Sequence, residues 1–183
     1  MEELMMIRPK ERQTAEKYIF SYLGACKEFK EKKVKLYTLH DPQDFYIWKE
    51  TIYDDFSEEE KGNYKGKPYI PSTTFWLVNE REFIGTGNIR HYLNDSIELL
   101  GGHIGYAIRA SKWDRGYATY FLRLLLKEAN KLSIDPALIT CDLPNRASGR
   151  VIEKNGGKLY DVNDLKVDGE KRRVCRYLVP TDV

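Results

Sequence analysis

A chain of 183 residues with 42% hydrophobic and 32% charged residues is too apolar to remain disordered and too charged to belong to a bilayer. Thirty Lys and Arg against 28 Asp and Glu leave a net charge of +2, which supports neither nucleic acid nor an anionic membrane as the partner. Cys26, Cys141 and Cys175 are odd in number, widely spaced and without a CxxC pair, so neither a disulfide framework nor a zinc ribbon is expected, and a reducing cytoplasm fits best.

The N-terminal MEELMMIRPKERQ lacks the basic start and long apolar core of a secretory signal, and no later run approaches the roughly 20 apolar residues of a membrane helix. LMMIRP reads as a first strand. KERQTAEKYIFSYLGACKEF reads as an amphipathic helix with Ala15, Tyr18, Ile19, Tyr22 and Leu23 on one face, weakened at its end by Gly24. A second helix, DPQDFYIWKETIYDDF, starts at the cap candidate Asp41 with Pro42 behind it and carries the stripe Phe45, Trp48 and Ile52; His40 reads as part of a loop.

After the loop SEEEKGNYKGKPYIPS the texture changes to β-branched and aromatic residues, and TTFWLV and EFIGTGNIRHYL read as a hairpin around NER. LNDSIELLGG reads as a turn region. HIGYAIR then alternates Ile104, Tyr106 and Ile108 with the small Gly105 and Ala107, which leave room on one face. From about Gly116 to Lys131 the residues Ala118, Phe121, Leu122, Leu125, Leu126 and Ala129 follow helical spacing, with Arg123, Lys127 and Asn130 facing away. PALITC is a short strand, NRASGRVIEKNGG a helix stopped by Asn155 and Gly156, and LKVDGEKRRVCRYLV a strand pair turning at Asp168 and Gly169. The order of elements is mixed α/β on a single domain spanning 1–183.

The chemistry concentrates where a strand feeds SKWDRGYAT and a helix begins. Helix starts expose unpaired N–H groups, and Gly116, without a Cβ, allows close approach of an anion to the amides of Arg115, Gly116, Tyr117, Ala118 and Thr119. Lys112 and Arg115 offer mobile countercharge. The plainer alternative is that Gly116 relieves a tight turn and Asp114 is an ordinary cap. Neither GxxxxGK[ST] nor GxGxxG occurs in a suitable place, so a P-loop and a dinucleotide fold are set aside.

HIGYAIRASKWDRGYAT resembles the acetyl-coenzyme A motif of the GNAT superfamily of N-acetyltransferases, in which Q/R-x-x-G-x-G/A joins a strand to a helix, and CDLPNRASGRVIEKNGG resembles the family's later strand–Asn–helix segment. The likeness covers roughly 70–178, and PSTTFWLV with NIRHYLN and GGHIGYAIR is most similar to a group of bacterial acetyltransferases of unstated acceptor. It implies an α+β fold: a mostly antiparallel central sheet flanked by helices, with a splayed strand pair at the cofactor. It also implies acetyl-CoA as co-substrate without a metal, its diphosphate on the amides of 115–119, its pantetheine along Tyr106, Ala107 and Ile108, and Asn145 at its thiol end. Asn145 reads equally as a helix cap.

The sequence departs from the family at Trp113, where Q/R is usual, at Asp114, where glycine is common, and at Ile152, where many members have the Tyr that protonates the leaving thiolate. Ser148 resembles the serine of the ribosomal-protein alanine acetyltransferase branch and is the first substitute for that acid, with Tyr106 and Tyr160 behind it. Glu98 and His103 lie where a base is expected, His103 with the more useful ordinary pKa of about 6.5 and Glu98 acting through water. Each also has a structural reading, and His91 reads as a strand-surface or pocket residue. Phe75, Trp76, Tyr92 and Tyr106 are core aromatics that can in part line an acceptor pocket. Cys141 beside Asp142 reads as a small buried hydrophobe rather than a nucleophile. The expected function is direct acetyl transfer to a primary amine of a small molecule, protein or peptide by a monomer or homodimer. A non-catalytic acyl-CoA sensor is the alternative.

Overall fold

The computed structural model describes residues 3–34, 51–64, 67–167 and 169–183. It resolves into two interleaved compact units, Met1–Asn88 with Tyr106–Tyr117, and Ile89–Gly105 with Ala118–Val183. In chain order the first contains β1 (Leu4–Ile7), α1 (Arg12–Ala15), a 3-10 turn, α2 (Ile19–Glu31), α3 (Ile52–Glu60), the short β2 (Asn63–Tyr64) and β3 (Lys67–Pro68), then β4 (Ser72–Asn79) and most of β5 (Phe83–Arg90). The second opens with the end of β5 and α4 (Asp95–Leu100), and β6 (Ile104–Ile108) leads back into the first. After the turn come α5 (Tyr117–Lys131), β7 (Ala137–Asp142), α6 (Arg146–Lys154), β8 (Lys158–Val167) and β9 (Glu170–Val179).

The first unit is organised by β4, every residue of which is buried, as expected of an interior strand rich in β-branched and aromatic side chains. It pairs antiparallel with β1, Leu4 opposite Asn79 and Ile7 opposite Trp76, in a sheet of order β1-β4-β5-β6. The expected stripe on the first helix is buried at Ala15, Tyr18, Ile19 and Tyr22. Gly24 does not end that helix. Its cost of about 1 kcal/mol in a helix interior is outweighed by the burial of Ala25, Cys26 and Phe29 beyond it. Tyr22 stacks on Trp76 with ring centroids 4.6 Å apart, and Phe83 and Phe56 meet the same indole edge-on at 5.3 and 5.9 Å. Of the expected aromatic group, Phe75 and Trp76 are therefore core, whereas Tyr92 is exposed. Asp41, Pro42, Phe45, Trp48, His40 and Asp168 lie outside the described residues, and Ile52 is fully buried at the start of α3.

In the second unit the sheet has order β7-β9-β8, antiparallel throughout, with Ala137 opposite Val179 and Lys158 opposite Leu178. The periodicity of α5 is realised at Phe121, Leu122, Leu125, Leu126 and Ala129, which are buried, with Ala118 only half-buried at the open start of the helix, while Arg123, Lys127 and Asn130 are exposed. Residues 94–101 are not a simple turn, because Asn94 Oδ1 accepts from the Ile97 N–H at 3.0 Å and so caps α4, with Asp95 and Glu98 in the first turn. That helix buries no side chain, which is why hydrophobic patterning does not announce it. β6 ends one sheet and β7 begins another, and neither is a hydrogen-bonded neighbour of the other in its sheet. Within the second unit the residues just before β6 reach β7 through an isolated bridge, Gly102 to Ile139.

Candidate functional site

The turn between β6 and α5 is anchored on its inner side. Arg109, with a side chain only 12% exposed, reaches Glu28, Ser21, Glu82 and the Phe83 carbonyl. Glu28 also accepts from the Ser111 N–H at 3.0 Å and from its hydroxyl. Burial raises the Glu28 pKa, but hydrogen bonds from Arg109 and Ser111 and the guanidinium charge outweigh it, so the carboxyl sits below its ordinary value. Trp113 folds back so that its indole Nε1–H donates to the Ile108 carbonyl at 2.7 Å. The residue at the family's Q/R position therefore closes the turn onto the end of β6. Lys112 corrects one expectation: its ammonium lies 2.5 Å from Glu82 and is 16% exposed, so it is committed rather than mobile, whereas Arg115 is exposed and pairs with no carboxylate among the described residues.

The outer side of the turn is open. Asp114 and Gly116 adopt left-handed backbone, φ 58° and 82°, and a Cβ on Gly116 would meet nothing within 4 Å. Because α5 starts at Tyr117, Asp114 lies outside the cap position. Among the described residues, no main-chain hydrogen bond outside helices and strands starts at the N–H of Asp114, Arg115, Gly116, Ala118 or Thr119. Room, donors and the positive end of a 15-residue helix coincide there, an arrangement that fits an anion such as the coenzyme A diphosphate. On β6, Tyr106 is half-buried while Ala107 and Ile108 are buried.

In the second unit Asn145 caps α6, its Oδ1 accepting from the Ser148 N–H at 3.1 Å. Below this cap lies a groove of about 330 Å³ lined by Cys141, Asn145, Arg146, Arg150, Cys175 and Tyr177, among others. Asn155, at the far end of α6, donates to the Thr119 carbonyl at 3.2 Å, which fixes that helix against the first turn of α5. Ser148 is half-buried one turn into α6. Ile152 is fully buried, so the position where many relatives carry the acid is core here. Tyr160 is 61% exposed and stacks under Arg176. Glu98 is exposed and pairs with Arg176 at 3.5 Å. His91 is half-buried.

His103 has a defined chemical state. Its Nδ1 accepts from the Leu138 N–H at 2.9 Å, while the main-chain N–H of His103 donates to the Leu138 carbonyl at 2.6 Å. Neutral imidazole has one lone pair, and here it is used, so Nε2 carries the proton and acts as a donor. Burial first, then the charge of Arg90, depress its pKa below 6.5, opposed by Glu98. The unfolded chain therefore binds this proton more readily. The stabilisation is complete above pH 6.5 and is lost as the pH falls from there through the folded-state value. Urea midpoints measured from pH 8 to 5 are expected to decline below pH 6.5 in the parent protein and to decline less in His103→Gln.

The long-range anchors Arg109 and Glu28 have no sequence signature: they are 81 residues apart and meet only through the fold. Among the described residues, no group of three or more His, Cys, Asp or Glu side chains could hold a metal, and no helix is long and apolar enough to cross a membrane.

Solved structures with the same fold include a ribosomal-protein-S5-alanine acetyltransferase from Vibrio fischeri, 12% identical, covering 100% of this chain and 95% of that one with a TM-score of 0.65. A ribosomal L7/L12 alpha-N-protein acetyltransferase in complex with coenzyme A is 15% identical, covering 98% and 96% with a TM-score of 0.66. The Microcin C7 self immunity acetyltransferase, in complex with acetyl-CoA and AMP, is 13% identical, covering 96% and 91% with a TM-score of 0.65. No curated protein sequence matches the chain. Residues 5–158 match the acetyltransferase (GNAT) domain, and the match takes in both the Gly116 turn and the Asn145 helix. The chain belongs to the GNAT acetyltransferase family.

Proposed function

We propose that the protein transfers the acetyl group of acetyl-CoA directly to a primary amine of a small molecule, protein or peptide, as one acetyltransferase domain working in the cytoplasm as a monomer or homodimer. The observation that carries this reading is the turn leading into α5, where left-handed backbone at Asp114 and Gly116, open space at Gly116 and, among the described residues, amides of Arg115, Gly116, Ala118 and Thr119 without a main-chain partner outside helices and strands coincide at a helix start. Those amides and Arg115 hold the diphosphate, and Tyr106, Ala107 and Ile108 align the pantetheine arm. Acetyl-CoA supplies the activated thioester; the protein supplies position and hydrogen bonds. Ser148 is assigned the thiolate end in place of the acid that Ile152 cannot provide. Glu98 draws the amine proton through water, and the Nε2–H of His103 serves as a donor rather than a base. Each of these three roles is testable by substitution.

Release of free CoA across a panel of polyamines, amino acids, antibiotics and peptide N-termini tests the proposal. Turnover with at least one amine supports it. Saturable acetyl-CoA binding with no turnover on any member favours the sensor, a reading motivated by the buried Ile152 and by the engaged lone pair of His103.

The two roles of Asn145 separate cleanly. Asn145→Ala loses the cap and is expected to cost about 1 kcal/mol. Asn145→Asp retains an oxygen for the Ser148 N–H but loses the amide donor. Full thermal stability with weakened acetyl-CoA affinity in Asn145→Asp is the expected outcome.

A further inference from the structure

Two thiols that acetyl transfer does not use stand opposite each other in the second unit. Cys141 on β7 is the register partner of Cys175 on β9, and both are unbridged and buried. Just past that pair, the Leu143 N–H donates to the Arg173 carbonyl at 2.8 Å. Hydrogen-bonded and non-hydrogen-bonded pairs alternate along an antiparallel ladder, so with 143 and 173 hydrogen-bonded, 142 and 174 are not, and 141 and 175 are again. Such pairs hold their Cα atoms about 5.5 Å apart, inside the roughly 4.4–6.8 Å that a disulfide spans, and their Cβ atoms toward the wide end of about 4.5–5.5 Å, so closing the bond to the roughly 3.5–4.5 Å of a disulfide draws the two strands together by about 1 Å. Directly opposed side chains also share one face of a sheet. Both cysteines line the groove beside Asn145, Arg146 and Tyr177, so a small reagent entering it meets two sulfurs together. Cys26, by contrast, is fully buried in α2.

We propose that Cys141 and Cys175 form a thiol–disulfide exchange site for low-molecular-weight aliphatic disulfides that enter this groove. Cys141 loses its proton to solvent and its sulfur attacks one sulfur of the reagent RS–SR. A Cys141–S–SR bond forms, the reagent's S–S bond breaks, and RS⁻ leaves and is protonated. Cys175, deprotonated in turn, attacks the Cys141 sulfur, forming the Cys141–Cys175 bond and expelling a second RS⁻. Two protein thiols are oxidised, one external disulfide is reduced to two thiols, and no further oxidant is needed.

The reaction is slow at neutral pH. Burial, then Cys175, Asp142 and Glu153, push the Cys141 thiol up to about 11. Arg146 and Arg150 on α6 and Tyr177 on β9 complete its surroundings. Since the thiolate is the nucleophile, the rate should climb about tenfold per pH unit between pH 7 and 9.

The test treats the folded full-length protein with bis(2-hydroxyethyl) disulfide at pH 7, 8 and 9, quenches with acid and maps thiols by peptide mass spectrometry. The expected product is a Cys141–Cys175 cross-linked peptide without net adduct, formed about tenfold faster per pH unit and equally well in Cys26→Ser. In Cys175→Ser the mixed disulfide at Cys141 should accumulate, and Cys175→Ala should trap the same adduct if the serine variant is poorly folded. A persistent Cys141 adduct in the parent protein with Cys175 still reduced overturns the proposal. So does modification confined to Cys26, or no reaction at pH 9 while circular dichroism reports a folded chain.

Discussion

Replacing Gly102 with alanine is expected to destabilise the protein by about 3–5 kcal/mol, a large part of the roughly 5–15 kcal/mol by which domains are stable. Two causes add. Gly102 has φ +64°, and an alanine in left-handed backbone costs about 1–2 kcal/mol. Its Cβ would also lie 2.9 Å from the Leu138 carbonyl carbon and closer still to the carbonyl oxygen, which are main-chain atoms that cannot swing aside. The segment must lift away from β7. That strains the His103 N–H bond to Leu138, the Leu138 N–H bond to His103 and the Arg90 bond to the Gly102 carbonyl at 2.9 Å, each a net contribution of about 0.5–1.5 kcal/mol. The measurement is a thermal melt, in which the midpoint should fall by about 10 °C. A change within about 1 °C of the parent would mean that the close approach is not as described.

Arg109→Ala has the second-largest expected effect and reaches the site. The guanidinium satisfies Glu28 through Nε at 3.0 Å and Nη2 at 2.5 Å, Ser21 at 3.1 Å, Glu82 at 3.2 Å and the Phe83 carbonyl at 3.1 Å. Removing it leaves two partly buried carboxylates facing the vacated space. Fully buried pairs lose about 3–5 kcal/mol when one partner is deleted. Glu28 and Glu82 are 23% and 30% exposed and retain Ser111 and Lys112, so screening and these partners reduce the loss to about 2–3 kcal/mol. A urea midpoint shifted at constant slope would read this. Because the same network holds Ser111 and Lys112, acetyl-CoA affinity should weaken as well. Arg109→Lys is expected to recover less than half of either loss, since a point charge cannot replace the planar fork.

The sequence made legible whatever depends on local pattern. The stripe of α5, the run of β-branched and aromatic residues in β4 and the stop at Asn155 and Gly156 each follow from spacing or turn chemistry within a short window. Gly116 was legible for the same reason, since a helix start after a strand calls for backbone that only glycine adopts freely. What escaped depends on neighbours brought from elsewhere. Lys112 looked mobile because Glu82 is 30 residues away in sequence. His103 looked like a base because nothing in the chain reveals that the Leu138 amide occupies its lone pair. α4 reads as a turn in the sequence because a helix that buries nothing has no apolar stripe, and only its Asn94 cap and acidic first turn mark it. The opposition of Cys141 and Cys175 likewise requires the register of β7 on β9.

The account rests on main-chain amides at the head of α5 receiving the diphosphate of acetyl-CoA. Amide chemical shifts of uniformly ¹⁵N-labelled protein, titrated in parallel with acetyl-CoA and with pantetheine, test it most directly. The Gly116 and Ala118 amide protons should move downfield with acetyl-CoA and stay in place with pantetheine, which has no diphosphate. Unmoved Gly116 and Ala118 resonances at saturating acetyl-CoA, or equal shifts with both ligands, would contradict the account.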